Sequence, residues 1–346
     1  MQVKSPFCPF AHSSHDSTLG SFILVCYSES PVRYSVMTRI TRTDLDVFPL
    51  ALGGNVFGWT ANEEQSFAVL DAYVAAGGNF IDTADMYSSW APGNSGGESE
   101  TIIGRWMKAR GNRNKLVIAT KVGLLPRLPG LSAKNIQRAA EDSLARLQTD
   151  RIDLYYAHED DRAVPLVETL GGFDALVRAG KARYIAASNY NGPRLAEALR
   201  TSRREGFAEY VALQPHYNLM ERHKYEGELA DTVAAQGLAS FPYFALAAGF
   251  LTGKYRVGSK VDSKRAEGAG TYLNEKGRKV LAALDEIAAT RKEAVATIAL
   301  AWLAAQPTVV APIASARTPE QLPPLLRSTD VHLSKEEVEK LSAASQ

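Results

Sequence analysis

Four side chains of this 346-residue chain have types and settings suited to moving a proton. Asp82 and Tyr87 follow the apolar pair Phe80-Ile81, which reads as buried β-strand, so a carboxylate and a phenol arrive together where the chain leaves the core. Lys121 ends the apolar run Leu116-Val117-Ile118-Ala119-Thr120, and His158 ends Ile152-Asp153-Leu154-Tyr155-Tyr156-Ala157. A phenol donates a proton near neutrality only when something lowers its pKa from about 10, and a neighbouring cation does so by favouring the phenolate. Lys121 is the candidate cation, and Asp82 a counter-ion that would hold it. Taken singly, each residue has an ordinary alternative: a turn carboxylate, a half-buried aromatic, a snorkelling amine and a structural imidazole. A lysine that closes an apolar strand is the least ordinary of the four, because buried lysine needs a partner. The six histidines show no metal-ligand spacing, so no zinc or iron site is expected.

Further stretches accompany these four in a fixed order: Gly53-Gly54-Asn55, Ser188-Asn189, Gln214-Pro215-His216-Tyr217-Asn218-Leu219, Gly249-Phe250-Leu251-Thr252-Gly253-Lys254 and Ala314-Ser315-Ala316-Arg317-Thr318-Pro319-Glu320-Gln321. With Asn79 to Tyr87 they make the chain resemble the aldo-keto reductase superfamily from Met37 to about Leu341. The resemblance implies that Asp82, Tyr87, Lys121 and His158 are the catalytic tetrad. It implies NADPH-dependent reduction of an aldehyde or ketone by hydride transfer, with Tyr87 as general acid and His158 orienting the carbonyl. Alternatives within the same resemblance are an NAD(P)-dependent sugar or secondary-alcohol dehydrogenase and a redox-sensing regulatory subunit.

No G-x-G-x-x-G turn is present, so a Rossmann-type dinucleotide site is not indicated. The resemblance implies instead a cofactor lying extended across a barrel mouth. Ser188, Asn189 and Gln214 would bond its carboxamide, with Tyr243 stacked on the nicotinamide and Asp82, Gly53, Gly54 and Asn55 close by. Phe244, Ala245, Leu246, Gly249, Leu251 and Lys254 would follow the pyrophosphate, and Ile313, Ser315, Ala316, Arg317 and Gln321 the adenosine end. Ser315 and Arg317 match a grip on a 2'-phosphate, which favours NADPH over NADH; Arg317 as a solvated charge before a helix is the other reading. The sequence departs from the family at Phe244, where serine is usual, at Glu159-Asp160-Asp161, and at Pro324-Leu325 in place of Glu-Asn. Asn55, Trp90, His158 and Glu159 are the candidate substrate pocket. Trp90 is either a pocket wall or an aromatic anchor for its own loop.

The elements that would position these residues alternate between strand and helix from Leu50 onward. Strands are expected near residues 50–52, 79–83, 116–120, 152–157, 184–187, 211–214, 238–243 and 309–313. Helices lie between them, one capped by Asn62 with Gln65, one by Ser132, and a strongly apolar one within Thr290 to Gln306 centred on Ile298 to Leu303. Eight such units favour an α/β fold of the (β/α)8 TIM-barrel type over a doubly wound sheet. A short N-terminal β-hairpin over residues 38–47 would lie across the bottom, and a helix would end the chain. The candidate residues fall at strand ends, the rim at which such barrels carry their sites.

Composition agrees with a folded, water-facing protein: 45% of residues are hydrophobic and 22% charged, with net charge +1. That balance argues against a general nucleic-acid or acidic-membrane binder and leaves a small molecule as partner, with no oligomeric state indicated. No apolar run reaches the ~18 residues of a membrane-spanning helix. Cys8 and Cys26 are the two cysteines and both precede Met37, an arrangement compatible with a cytoplasmic location. Residues 37–346 are expected to form the single barrel domain. Residues 1–36 lack a signal-peptide pattern and are expected to be a disordered extension. Deleting residues 1–36 should leave the melting temperature and turnover of the remaining chain unchanged, and a truncated chain that fails to fold would refute that expectation.

Overall fold

The computed structural model describes residues 37–258, 261–262 and 264–346; the expectation for residues 1–36 lies outside them. Two short strands, β1 (Thr38–Arg39) and β2 (Asp46–Val47), pair antiparallel as the expected hairpin. Eight parallel strands follow among the described residues: β3 (Ala51–Gly53), β4 (Phe80–Asp82), β5 (Val117–Val122), β6 (Ile152–Ala157), β7 (Ala182–Ser188), β8 (Tyr210–Gln214), β9 (Ala239–Ser240) and β10 (Ile313–Ala314). They lie side by side from β3 to β9, with β10 beyond β3. The two ends of the sheet meet. Ser240 donates its amide to the Thr308 carbonyl at 2.8 Å, Val310 to Ser240 at 3.0 Å and Ile313 to Pro242 at 2.9 Å, which curls the sheet into the expected (β/α)8 barrel.

Strands β9 and β10 are shorter than the expected 238–243 and 309–313. The reason is proline: Pro242 and Pro312 have no N–H to give to a ladder, so pairing there is reduced to isolated bonds. The apolar helix expected within 290–306 and centred on Ile298 to Leu303 is present as Val295–Ala304. The helix before it, Glu275–Arg291, ends at Lys292, whose φ of 56° is left-handed. The expected caps are present, with a capping box between Asn62 and Gln65 and the Ser132 side chain accepting from the Asn135 amide. A C-terminal helix, Lys335–Ala344, is bonded back to the body through Arg222 and Trp302, both of which reach Ser342.

Strand alternation sorts the side chains into two sets. Phe80, Ala119, Leu154, Tyr156, Ala186, Ala212, Phe241 and Ile313 fill the barrel interior with Ile40, Leu45 and Val47 of the hairpin. Their neighbours Ile81, Ile118, Tyr155, Ile185 and Leu213 face the helices. The hairpin closes the end at which the strands start: the Asn79 side chain accepts from the Phe48 amide at 2.8 Å and donates to the Asp46 carbonyl at 2.9 Å. With that end plugged by apolar groups, the residues two positions beyond the inner apolar set emerge together at the opposite mouth. Those positions are Asp82, Lys121, His158, Ser188, Gln214, Tyr243 and Ser315.

Candidate active site

At the floor of the mouth, Lys121 is wholly buried and its Nζ has three acceptors: Asp82 Oδ2 at 2.7 Å, the Thr83 carbonyl at 2.7 Å and Tyr87 Oη at 2.9 Å. Tyr87 Oη also lies 3.3 Å from Asp82 Oδ2, and Gln214 Nε2 donates to Asp82 Oδ1 at 2.9 Å. The carboxylate is therefore bonded on both oxygens, and the ammonium is held by an anion, a carbonyl and a phenol. The His158 ring packs edge-on to Tyr87, with centroids 6.1 Å apart. The four residues named from the sequence are thus one cluster.

Its electrostatics differ from expectation in one respect. Lys121 was expected to acidify Tyr87, but burial pushes the phenol well above its ordinary value and Asp82 pushes the same way. The physical reason is cancellation. The phenol oxygen sees an ammonium at 2.9 Å and a carboxylate at 3.3 Å, a nearly neutral pair, so loss of hydration decides the outcome. Burial draws Lys121 below its ordinary value against the opposing pull of Asp82. His158 is held well below the usual imidazole range, first by burial and then by Lys121, and so is uncharged near neutrality. Its buried Nδ1 has no hydrogen-bond partner among the described residues.

Above this cluster opens a cavity of about 740 Å³, lined by Tyr87, His158, Trp90, Asn55 and Asp82 at one end and by Ser315, Arg317 and Gln321 at the other. Gly53, Ser188, Asn189, Gln214, Tyr243, Phe244, Ala245, Leu246, Gly249, Lys254 and Ile313 line it between. Of the sequence-named residues, Lys121, Gly54, Leu251, Ala316 and Glu159 do not line it, Lys121 lying beneath its floor. Gly54 and Ala316 are buried behind the rim, Leu251 packs in the core, and Glu159 faces solvent while its neighbour Asp160 pairs with Arg194 at 2.9 Å. Trp90 forms an edge-to-face row with Trp59 at 5.6 Å and Tyr87 at 6.1 Å while lining the cavity, so it is a wall as well as an anchor. Phe244 sits at φ 53° with its carbonyl held by Asn218 Nδ2 at 2.9 Å. Pro324 and Leu325 line the cavity at its Ser315, Arg317 and Gln321 end, where they present apolar groups.

Sequence reading missed Lys264 and Arg265. Both line the cavity, and Arg265 reaches Asn55 Oδ1 at 3.3 Å, a contact across 210 residues that no local pattern announces. Asn55 Oδ1 in turn accepts from Ser315 Oγ at 2.8 Å. Burial and then Arg317 draw the Arg265 guanidinium below its ordinary value, so two guanidiniums share this wall closely enough to oppose each other's charge. An anion between them relieves that opposition, which suits a phosphate-bearing cofactor. Gly53 completes the fit: a Cβ there would lie 2.7 Å from Ser315 Oγ, so glycine keeps the floor low.

Residues 49–346 match the profile of the Aldo/keto reductase family. This chain belongs to that family. The aldo/keto reductase is 37% identical over 308 residues to the uncharacterized oxidoreductase YrpG of Bacillus subtilis, with 86% of this chain and 92% of that protein covered. It is 32% identical to the aryl-alcohol dehydrogenase [NADP(+)] of Phanerodontia chrysosporium, with 86% and 82% covered. It is also 32% identical to a probable voltage-gated potassium channel subunit beta of Oryza sativa, with 89% and 96% covered. The family and these relatives make this aldo/keto reductase an oxidoreductase enzyme, and members of the family use nicotinamide cofactors. Among the described residues no helix is long and apolar enough to cross a membrane, and no cluster of His, Cys, Asp or Glu could hold a metal ion.

The site generates one stability test. Lys121→Met should destabilise this aldo/keto reductase by about 3–5 kcal/mol, because it leaves Asp82 buried without its cation, and adding Asp82→Asn should recover most of that loss. Denaturant unfolding of the two variants measures it.

Proposed function

We propose that the protein is an NADPH-dependent carbonyl reductase in which Tyr87 is the general acid. The observation that carries this reading is the Lys121 ammonium bonded at once to Asp82 and to the Tyr87 hydroxyl beneath a cavity of about 740 Å³. NADPH supplies the hydride when bound; no side chain carries one. The protein's part is to bind, orient and manage the proton. A Tyr87 phenol held above its ordinary value is fully protonated at working pH. Negative charge building on the carbonyl oxygen makes that oxygen basic enough to take the proton, and Lys121 then stabilises the phenolate at 2.9 Å.

His158 supports the reading through its tautomer. With Nδ1 buried and unpartnered, the ring hydrogen is best placed on Nε2, from which a neutral imidazole donates to the carbonyl oxygen. Ser188, Asn189 and Gln214 present amide and hydroxyl groups for the nicotinamide carboxamide, and the Tyr243 ring offers a stacking face, held by its hydroxyl bond to Asn189 Oδ1 at 2.7 Å. Lys254, Lys264, Arg265 and Arg317 give the cavity four cations for a pyrophosphate and a 2'-phosphate, which is the basis for NADPH over NADH. The row Tyr87, Trp90, Trp59 favours a flat, aromatic aldehyde or ketone. The relative named aryl-alcohol dehydrogenase [NADP(+)] agrees with both choices. The same machinery run in reverse oxidises an alcohol, with Tyr87 accepting the proton.

Reduction of nitrobenzaldehyde with NADPH should be measurable, and Tyr87→Phe should lower kcat by about 10²–10⁴-fold with NADPH affinity retained. A Tyr87→Phe enzyme with full turnover would end the proposal, and a folded wild type that binds NADPH but turns over no carbonyl would favour the regulatory reading. Arg317→Ala should raise the KM for NADPH about tenfold or more while leaving that for NADH unchanged; equal effects on both would return Arg317 to a solvated charge.

A further inference from the structure

The turn that joins Asp82 to Tyr87 carries a second carboxyl group, Asp85, for which neither the family likeness nor the proposed chemistry has a use. Its amide donates to the Lys121 carbonyl at 3.2 Å, and the Thr83 amide donates to Ala119 at 2.8 Å, so two bonds stitch the turn to β5. Asp82 and Lys121 point into the barrel. Asp85 lies on the other side of the strand wall, in the layer between the strands and the helices Glu98–Arg110 and Ala133–Leu147.

That layer is closed to water. Asp85 is wholly buried, and neither carboxyl oxygen has a hydrogen-bond partner among the described residues; the Met86 amide favours the anion slightly without making an aligned bond. The groups that face it are Glu100 from the first helix, Arg146 from the second, Tyr155 from β6 and Lys121 from β5. Arg146 is already taken: its Nε bonds Glu100 Oε2 at 2.6 Å, and Thr120 Oγ1 bonds Glu100 Oε1 at 2.5 Å. The Tyr155 hydroxyl is buried without a partner too. An ionised carboxylate therefore has no hydrogen bond to hold its charge among the described residues, while a protonated one carries no charge that needs one.

We propose that Asp85 is a positioning residue for the Tyr87 chemistry: by staying protonated it leaves Asp82 as the one anion paired with Lys121 and keeps the phenol from becoming a weaker acid. Burial, and after it the negative charge of Glu100, push the Asp85 carboxyl up to about 8. Above that value a second anion stands behind Lys121. It holds the ammonium charge more firmly and opposes formation of the phenolate, so proton donation weakens before Tyr87 itself titrates. The effect on turnover rests on the carbonyl-reductase reading; the protonation state does not.

Two measurements on the full chain test it, using Asp85→Asn and, should that variant not fold, Asp85→Ala. In nitrobenzaldehyde reduction with saturating NADPH, the wild-type kcat should fall about three- to tenfold from about pH 7 to about pH 9.5. The fall should centre near 8, and the neutral variant should stay flat over the same span. A variant that keeps the fall, or a wild type without one, overturns the proposal. Thermal melts read the same proton without any cofactor. The native carboxyl keeps a proton that the unfolded chain, at the ordinary 3.8, releases. The stability this gives is full below that value and is lost as pH rises to about 8. The variant should lack this slope, and an unchanged slope sinks the proposal. If the melts change as expected while no carbonyl is reduced by any form, the reductase reading has failed and the Asp85 proton has not.

Discussion

Everything at this barrel mouth depends on an ammonium and a carboxylate sealed together beneath it. Lys121 and Asp82 are 0% and 1% exposed, and removing two such ions from water costs several kcal/mol apiece before their attraction is counted. The fold meets that cost with directional bonds: Gln214 to one oxygen of Asp82, and the Thr83 carbonyl and Tyr87 hydroxyl to the remaining donors of Lys121. Gln214 comes from β8, and Thr83 and Tyr87 from the turn after β4, so the pair fixes the relative placement of β4, β5 and β8. Its near-neutrality has a chemical effect as well. It leaves Tyr87 protonated and deprives it of the simple acidification that a lone lysine would give.

Most of this arrangement was readable from side-chain types because strands impose a period of two. Phe80 and Asp82, Ala119 and Lys121, Tyr156 and His158 each lie two apart, so an apolar inner layer followed by one polar residue marks both the strand and the rim. The count of eight units, the hairpin at residues 38–47 and the caps at Asn62 and Ser132 rest on equally local signals, and the structure has them. Where reading by pattern went astray, a local breaker outranked hydrophobic run length. Pro242 and Pro312 cut two strands short.

The residues that stayed hidden are those whose meaning arises only through distance in sequence. Arg265 meets Asn55 across the cavity, and its charge matters because Arg317 stands nearby. Glu159 looked like a rim residue from its place after His158, yet it faces solvent and its neighbour Asp160 pairs with Arg194 away from the cavity. The direction of the Tyr87 shift was hidden for another reason: a sequence shows which charges are available but not how far each stands from the phenol or how dry the site is. Asp85 was likewise passed over, since nothing local reveals that Arg146 is already engaged by Glu100.

The barrel's meridian between β9 and β10 is held by few bonds, the same prolines having removed the others. Tyr243 to Leu246 flank that thin line on one side and Ile313 to Arg317 on the other, and all but Ala316 face the cavity. A long ligand laid along the mouth would touch both sides of this thinly bonded join like a suture, so that occupancy and closure would reinforce each other.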